Sequence, residues 1–273
     1  MVVGGCFFCQ NLNVKLHIVT LVLDGMPFLP MQLATFNRMD TSLVDWYWHI
    51  VEGAASNTGS TRWCQPQIPR FSRDGSNALL HTWLNHPRIS IRSRMMWEGG
   101  KDEMFNAALS DVFEPGVLLQ VDVDELWTPE QLETLAGFFN AYPEIVCARF
   151  FCRYFVGPNL IVTSADTYGN KSGEWLRAWR FTPGMKLRSH EPPVLDGALS
   201  PCASREQTKE CNLVFDHWSY VFEHQVAYKE EFYGYRDAVK HWKRLRDFGK
   251  FPAKLGDFLP WVNDEAVVDR AFK

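Results

Sequence analysis

The stretch LLQVDVDELWTPEQL, residues 118–132, changes character twice. Leu118 to Val121 is a short, largely apolar run of the kind that forms a buried strand. Carboxylates then follow at alternate positions, Asp122 and Asp124. In an extended backbone alternate side chains project to one side, so these two converge on a single point. Thr128 reads as an N-cap, Pro129 as the first helical residue and Gln131 as the partner that completes a capping box. A buried strand ending in paired acids, followed at once by a capped helix, is a unit of an α/β fold.

The alternation repeats upstream. LHIVTLVL (residues 16–23) is a β-branched apolar run closed by Asp24-Gly25, and DWYWHIV (45–51) is a second strand ending at Glu52-Gly53. Pro27 and Pro30 open a helical stretch with Leu29, Leu33 and Phe36 on one face. A polar loop runs to about Gly75. Asn77 to Leu84 then reads as helix, and RISIRSR (88–94) alternates with period two. Lys101 to Phe113 carries Phe105, Leu109 and Val112 on one stripe, until Pro115-Gly116 stops it. Such a pattern predicts a single α/β domain with a mostly parallel central sheet flanked by helices. Ligands in these folds bind beyond the carboxyl ends of the strands, where Asp24, Glu52 and the 122–125 cluster all fall. The second half is less regular. Residues 145–155, 174–181 and 212–221 read as strands, 227–247 as one long helix, and FPAKLGDFLPWV (251–262) as a segment packed on the domain. The expected division is an extension at 1–14, a first half at 15–142, and an irregular second half of the same domain at 143–273.

Composition narrows the function classes. Of 273 residues 46% are hydrophobic and 22% charged, which excludes a disordered or fibrous chain. Lys and Arg number 28 against 32 Asp and Glu, a net charge of −4 that offers no basic field for nucleic acid. Seven cysteines, an odd number, argue against a disulfide framework, and Cys6-x-x-Cys9 has no second pair at zinc-site spacing. Aromatic residues reach 14%, suited either to a large core or to stacking on flat sugar faces and bases. No stretch approaches the ~20 apolar residues of a membrane span, and the expectation is a soluble, cytoplasmic protein.

Hard carboxylate oxygens held together suit a divalent cation, Mg²⁺ or Mn²⁺, with other positions left to water and phosphates. With that chemistry the order of elements resembles family 2 glycosyltransferases and their relatives with a GT-A fold, over roughly residues 15–140. The resemblance implies a metal-dependent transferase, hexosyltransferase-type and expected to be inverting. It would move a sugar from a UDP- or GDP-sugar to a glycan or other hydroxyl acceptor. It places Asp24 of VTLVLDGMPFLP in a loop facing the nucleotide, and Glu52 of HIVEG at the base or ribose. Gly99-Gly100-Lys101 and Asn106 of GGKDEMFNAAL match the family's Gly-rich turn and helix Asn, and LLQVDVDELW matches its metal-binding D-x-D. Lys101 could meet a diphosphate beside the amides of the helix start, or be a solvated first-turn residue. Two features depart from the family: a single Glu52 stands where paired acids are usual, with Ser72-Arg73-Asp74-Gly75 much later. The Glu-Asp pair that supplies an inverting enzyme's base is absent.

The base must then come from the second half. In LRSHEPP (187–193) two prolines restrict the backbone beside His190-Glu191. Glu191 is either the general base, which is the expectation taken here, or a capping residue in a surface turn, and His190 is the reserve metal ligand or a phosphate contact. Asp216-His217 lies in FDHWSYV (215–221). His217 resembles the late metal ligand of GT-A enzymes, although a histidine in an aromatic strand is commonly a core residue. Arg177 and Arg180 of EWLRAWR are either strand-surface charges or acceptor contacts. The basic run at 240–246 suits peripheral contact with an anionic membrane or a solvated helix face. Asn170-Lys171-Ser172 is a formal glycosylation sequon. Two other classes compete. A nucleotidyltransferase would carry glycines and basic residues directly after the first strand, which Asp24-Gly25-Met26-Pro27 lacks. A non-catalytic carbohydrate-binding module would need no D-x-D and is usually antiparallel β.

Overall fold

A computed structural model describes residues 14–197 and 199–271. In the first half β1 (Val14–Val22), α1 (Phe28–Phe36), β2 (Val44–Ala55), α2 (Ser76–Thr82), β3 (Ile89–Trp97), α3 (Gly100–Leu109) and β4 (Gly116–Gln120) follow in turn. β1 runs parallel to both β2 and β4, and β2 runs parallel to β3. Leu16, Ile18 and Val19 of β1 are fully buried, because helices cover the sheet on both sides. The chain builds outward from β1 to β3, then returns to the other side of β1 at β4. Loops leaving β1 and β4 therefore diverge, and a crevice opens between them.

β2 does not end at Glu52-Gly53 as its sequence suggests; it continues to Ala55 with a register shift against β3. Gly53 has φ +134°, and a Cβ there would stand 1.8 Å from the Arg94 carbonyl oxygen. Only glycine passes this point.

The second half comprises β5 (Glu125–Leu126), α4 (Pro129–Ala141), β6 (Cys147–Arg149), β7 (Phe151–Gly157), β8 (Leu160–Val162), β9 (Leu176–Phe181), β10 (Leu187–His190), β11 (Pro193–Leu195), β12 (Cys202–Ala203), α5 (Arg205–Glu210), β13 (Val214–His217), α6 (Glu223–Tyr233), α7 (Ala238–Arg246), β14 (Ala253–Lys254) and β15 (Val267–Arg270). The central sheet has the order β12-β6-β9-β4-β1-β2-β3, with β9 antiparallel to both its neighbours. A second sheet has the order β14-β15-β8-β7-β13-β5.

The strand expected over 145–155 is two strands, one in each sheet, parted at buried Phe150. The chain first crosses between the same two sheets from β4 to β5, and that crossing is the Asp122–Asp124 segment. Paired acids thus occupy a seam between sheets. Thr128 caps α4 as expected: its side chain accepts from the Gln131 amide at 3.2 Å, and Gln131 accepts from the Thr128 amide at 2.9 Å. The long helix expected over 227–247 is a pair, α6 and α7, because Gly234 and Asp237 adopt left-handed φ values of 71° and 55°. Residues 1–13 of the expected N-terminal extension, with Cys6 and Cys9, lie outside the described residues. Among the described residues no helix is long and apolar enough to cross a membrane.

Candidate active site

A cavity of about 870 Å³ opens at the seam, and Asp122, Val123 and Asp124 line it. The acidic segment is held from below by Gln32 of α1. Its buried side-chain amide donates to the carbonyls of Asp122 (3.0 Å), Val123 (3.1 Å) and Glu125 (3.0 Å). Arg177 of β9 approaches from the side, with Nη2 at 2.8 Å from Asp122 Oδ2 and 2.7 Å from Glu125 Oε1. Glu125 is completely buried. Burial pushes its carboxyl upward against the pull of Arg177. Burial works the same way on Asp122, but there Arg177, His190, Lys101 and the Gln120 hydrogen bond together outweigh it and hold the group well below the usual carboxylate range. Arg177 is therefore not a surface charge; it lines the cavity and holds Asp122 in place.

Asp124 points to a different neighbour. Its Oδ1 lies 3.4 Å from His217 Nε2, and burial's upward effect on its carboxyl is overcome by that histidine. Tyr154 and Trp175 pack edge-on against the His217 ring at 5.0 and 4.9 Å. Buried His217 Nδ1 has no hydrogen-bond partner. The four residues expected to ligate a metal do not form one cluster, and among the described residues no three His, Cys, Asp or Glu groups converge on a metal position. His190 stands apart and Asp122 is committed to Arg177. Asp124 and His217 remain. They are a carboxylate and an imidazole 3.4 Å apart on the cavity lining, donor types that would suit Mg²⁺ or Mn²⁺.

The opposite wall comes from α3 and the β10–β11 hairpin. Lys101 Nζ donates to Glu191 Oε1 at 2.7 Å. Burial favours the neutral acid at Glu191, but Lys101 and His190 prevail and the carboxyl titrates at about 2. The His190 amide donates to Asp102 Oδ1 at 2.8 Å, which locks the hairpin onto α3. Gln120 ties the two walls together: its Nε2 lies 3.1 Å from Asp122 Oδ1 and 3.2 Å from His190 Nε2.

Asp24 lines the cavity and pairs with Arg70 at 2.6 Å. Glu52 does not line it. Its fully buried carboxylate accepts from the Ser72 amide at 2.7 Å and from Asn77 Nδ2 at 3.2 Å, and the Asp24 amide in turn donates to Ser72 Oγ at 3.0 Å. Glu52 shapes the 70–77 loop and reaches the cavity only through it. Asn106 is likewise outside the cavity lining; its amide exchanges two 2.9 Å hydrogen bonds with the Leu187 backbone. Asp216 pairs with Arg153, Nη2 to Oδ2 at 2.8 Å, away from the acids. Asn170 of the sequon bridges both backbone groups of Cys152. Lys240, Arg244 and Arg246 of the basic run are exposed, with Trp242 and Leu245 buried beneath them.

The remaining wall carries Tyr220, Tyr233 and Tyr235, part of an aromatic column that runs beyond the cavity. Trp63, Tyr233, Tyr235, Trp261 and Tyr220 form a continuous stack, with successive ring centroids 5.4, 5.6, 4.6 and 6.4 Å apart. Lys229 of α6 lies over the rings of Tyr220 (4.8 Å) and Tyr233 (5.5 Å). Burial presses its pKa below the usual lysine value, against the pull of Asp124. Lys101 and Arg177 have carboxylate partners, whereas among the described residues no carboxylate stands within ion-pair distance of Lys229. The cavity thus presents a cation to an incoming anion. Sequence reasoning missed Gln32 and Lys229: one is a polar residue in an apolar helix, the other one of many helix lysines, and neither pattern signals a role.

No family model matches the sequence, and no curated protein matches it. Among solved structures the chain is similar to S. aureus TarS 1-349 in complex with UDP-GlcNAc, with 14% identity, a TM-score of 0.37, and coverage of 52% of this chain and 35% of that one. It is similar to the mannosyltransferase PcManGT from Pyrobaculum calidifontis in complex with GDP-Man and Mn²⁺, with 17% identity, a TM-score of 0.37, and coverage of 52% and 36%. A further TarS 1-349 structure gives 11% identity and a TM-score of 0.42 over 86% of this chain and 66% of that one. The chain thus spans about a third of the length of the first two.

Proposed function

We propose that this protein is a divalent-cation-dependent glycosyltransferase that moves a sugar from a nucleoside-diphosphate sugar to an acceptor hydroxyl with inversion. Residues 15–142 would form the donor half and 143–273 the acceptor side. One observation carries the reading: Asp122 and Asp124 line a large cavity at the switch point of a parallel sheet, with unpaired Lys229 on the same wall system. Asp124 and His217 would hold the cation, which supplies charge neutralisation for a departing diphosphate. Lys229 and Lys101 meet the same developing charge from the protein. Asp24 and the 70–77 loop, braced by Glu52, receive the nucleoside.

Glu191 takes the acceptor proton as the acceptor oxygen bonds to the anomeric carbon and the bond from that carbon to the diphosphate breaks. A carboxylate titrating at about 2 is a weak base. Its weakness comes from Lys101, for which a donor diphosphate competes. Once Lys101 turns to phosphate, only His190 still opposes burial, and Glu191 becomes more basic. Basicity is thereby coupled to donor binding.

The test is thermal stabilisation by UDP and GDP with and without Mn²⁺, followed by a nucleotide-sugar hydrolysis screen. A shift that needs both nucleotide and metal supports the reading. Stabilisation by free sugars alone, with none by nucleotides, would sink it.

A further inference from the structure

Two thiols meet at the far edge of the central sheet, away from the cavity. Edge strand β12 runs parallel to β6 with Cys202 opposite Cys147. Adjacent strands lie about 4.8 Å apart, within the roughly 4.4–6.8 Å of Cα separation that a disulfide spans. Directly opposed residues of a parallel pair point to the same face. Cys147 is fully buried in the apolar cluster under α3, and Cys202 packs at its margin, part exposed. Cys152, another buried strand cysteine, instead has Phe215 across its ladder.

The two thiols differ in reactivity. The neighbouring Cys147 thiol, with Arg149 nearby, outweighs burial at Cys202 and brings it to about 7, while Cys147 is pushed up by its neighbour and by burial. The accessible member is thus the better nucleophile, and the buried member stands behind it.

We propose that Cys147 and Cys202 are a reversible dithiol–disulfide site that takes low-molecular-weight disulfides as its oxidant. The Cys202 thiolate attacks one sulfur of the small disulfide, forming a mixed disulfide and releasing one thiol. Cys147 then loses its proton and attacks the Cys202 sulfur, expelling the second thiol. Two protein thiols are oxidised and one small disulfide is reduced to two thiols. The cross-link closes a loop that contains the β10–β11 hairpin, and with it His190 and Glu191.

The experiment equilibrates the purified full chain in glutathione buffers from fully reduced to fully oxidised, quenches with acid, and maps non-reduced peptides by mass spectrometry. The expected result is a Cys147–Cys202 cross-linked peptide that grows with the oxidised fraction and disappears with dithiothreitol. C202S, a change at a part-exposed side chain, should remove that peptide and leave Cys147 unmodified. A folded wild-type chain in which the two stay unlinked across the whole range overturns the proposal. So does oxidation that stops at a glutathione adduct on Cys202, or linkage of either thiol to another cysteine.

Discussion

Lys101 Nζ and Glu191 Oε1 meet at 2.7 Å across 90 residues of sequence, joining the first turn of α3 to the hairpin loop after β10. The pair lowers the pKa of the carboxylate proposed as the general base. Glu191→Gln should lower kcat by about 10²–10⁴-fold, the usual worth of a general base. Nucleotide affinity should stay within about threefold, because the lost interaction belongs to the transition state. Turnover close to that of the unaltered protein would place the base elsewhere.

Lys101→Met tests the coupling itself. With the cation gone, burial is opposed by His190 alone and the Glu191 carboxyl rises from about 2. The acid limb of the kcat/KM profile should move to higher pH, and donor affinity should fall. An unmoved limb in an active variant would show that Lys101 does not govern this carboxylate.

Asp124 and His217 carry the metal assignment. Asp124→Asn should abolish the Mn²⁺-dependent part of nucleotide stabilisation, His217→Ala should reduce it, and EDTA should reproduce the loss in the unaltered chain. The readout is melting temperature with nucleotide, with metal, and with both. Retention of the full metal effect in Asp124→Asn would remove the site from these residues.

Arg177 faces two carboxylates, one of them completely buried. Arg177→Met leaves Glu125 buried without its cation and should cost about 3–5 kcal/mol in urea unfolding. Pairing it with Glu125→Met should recover much of that loss, because neither charge is then stranded. Additive destabilisation in the double variant would count against this account.

His17 and His49 meet on adjacent strands β1 and β2, 3.4 Å apart from Nδ1 to Nε2, and burial lowers both to about 4 from 6.5. The unfolded chain therefore binds protons at higher pH than the native one. The stability that depends on this neutral pair is complete above about pH 6.5 and declines as pH falls toward 4, by up to about 3 kcal/mol for each imidazole. Urea midpoints at pH 7.5 and 5 should differ accordingly, and the difference should shrink when both are changed to Gln.

The strand before the acids, the capped α4 and the alternating first half were legible because each rests on local rules of period and cap chemistry. Asp122 and Asp124, by contrast, do not converge, because the chain turns between them and each meets a different partner. Glu52 was misplaced because its position after a strand was clear but its burial was not. That burial depends on the 70–77 loop folding back over it, a contact between distant segments. Asn106 lay on the expected helix, yet its amide turned to the β10 backbone. Lys101 and Glu191 were each visible alone, and their pairing was not, since no local pattern encodes a contact at such separation. The single long strand and single long helix failed at Phe150 and Gly234, where one residue redirects the chain into another sheet or a new helix.

The aromatic stack gives the protein a built-in optical gauge. Trp63 is 54% exposed at one end, and Tyr220 is buried at the cavity end. Between them Trp261 lies 4.6 Å from Tyr235 and donates its indole N–H to the Tyr220 hydroxyl at 3.2 Å. Tyrosine excitation anywhere along this column has an indole within a few ångströms to receive it. A molecule settling against Tyr233 or Tyr235 alters that transfer, so occupancy of the cavity is readable from intrinsic emission, with no label attached.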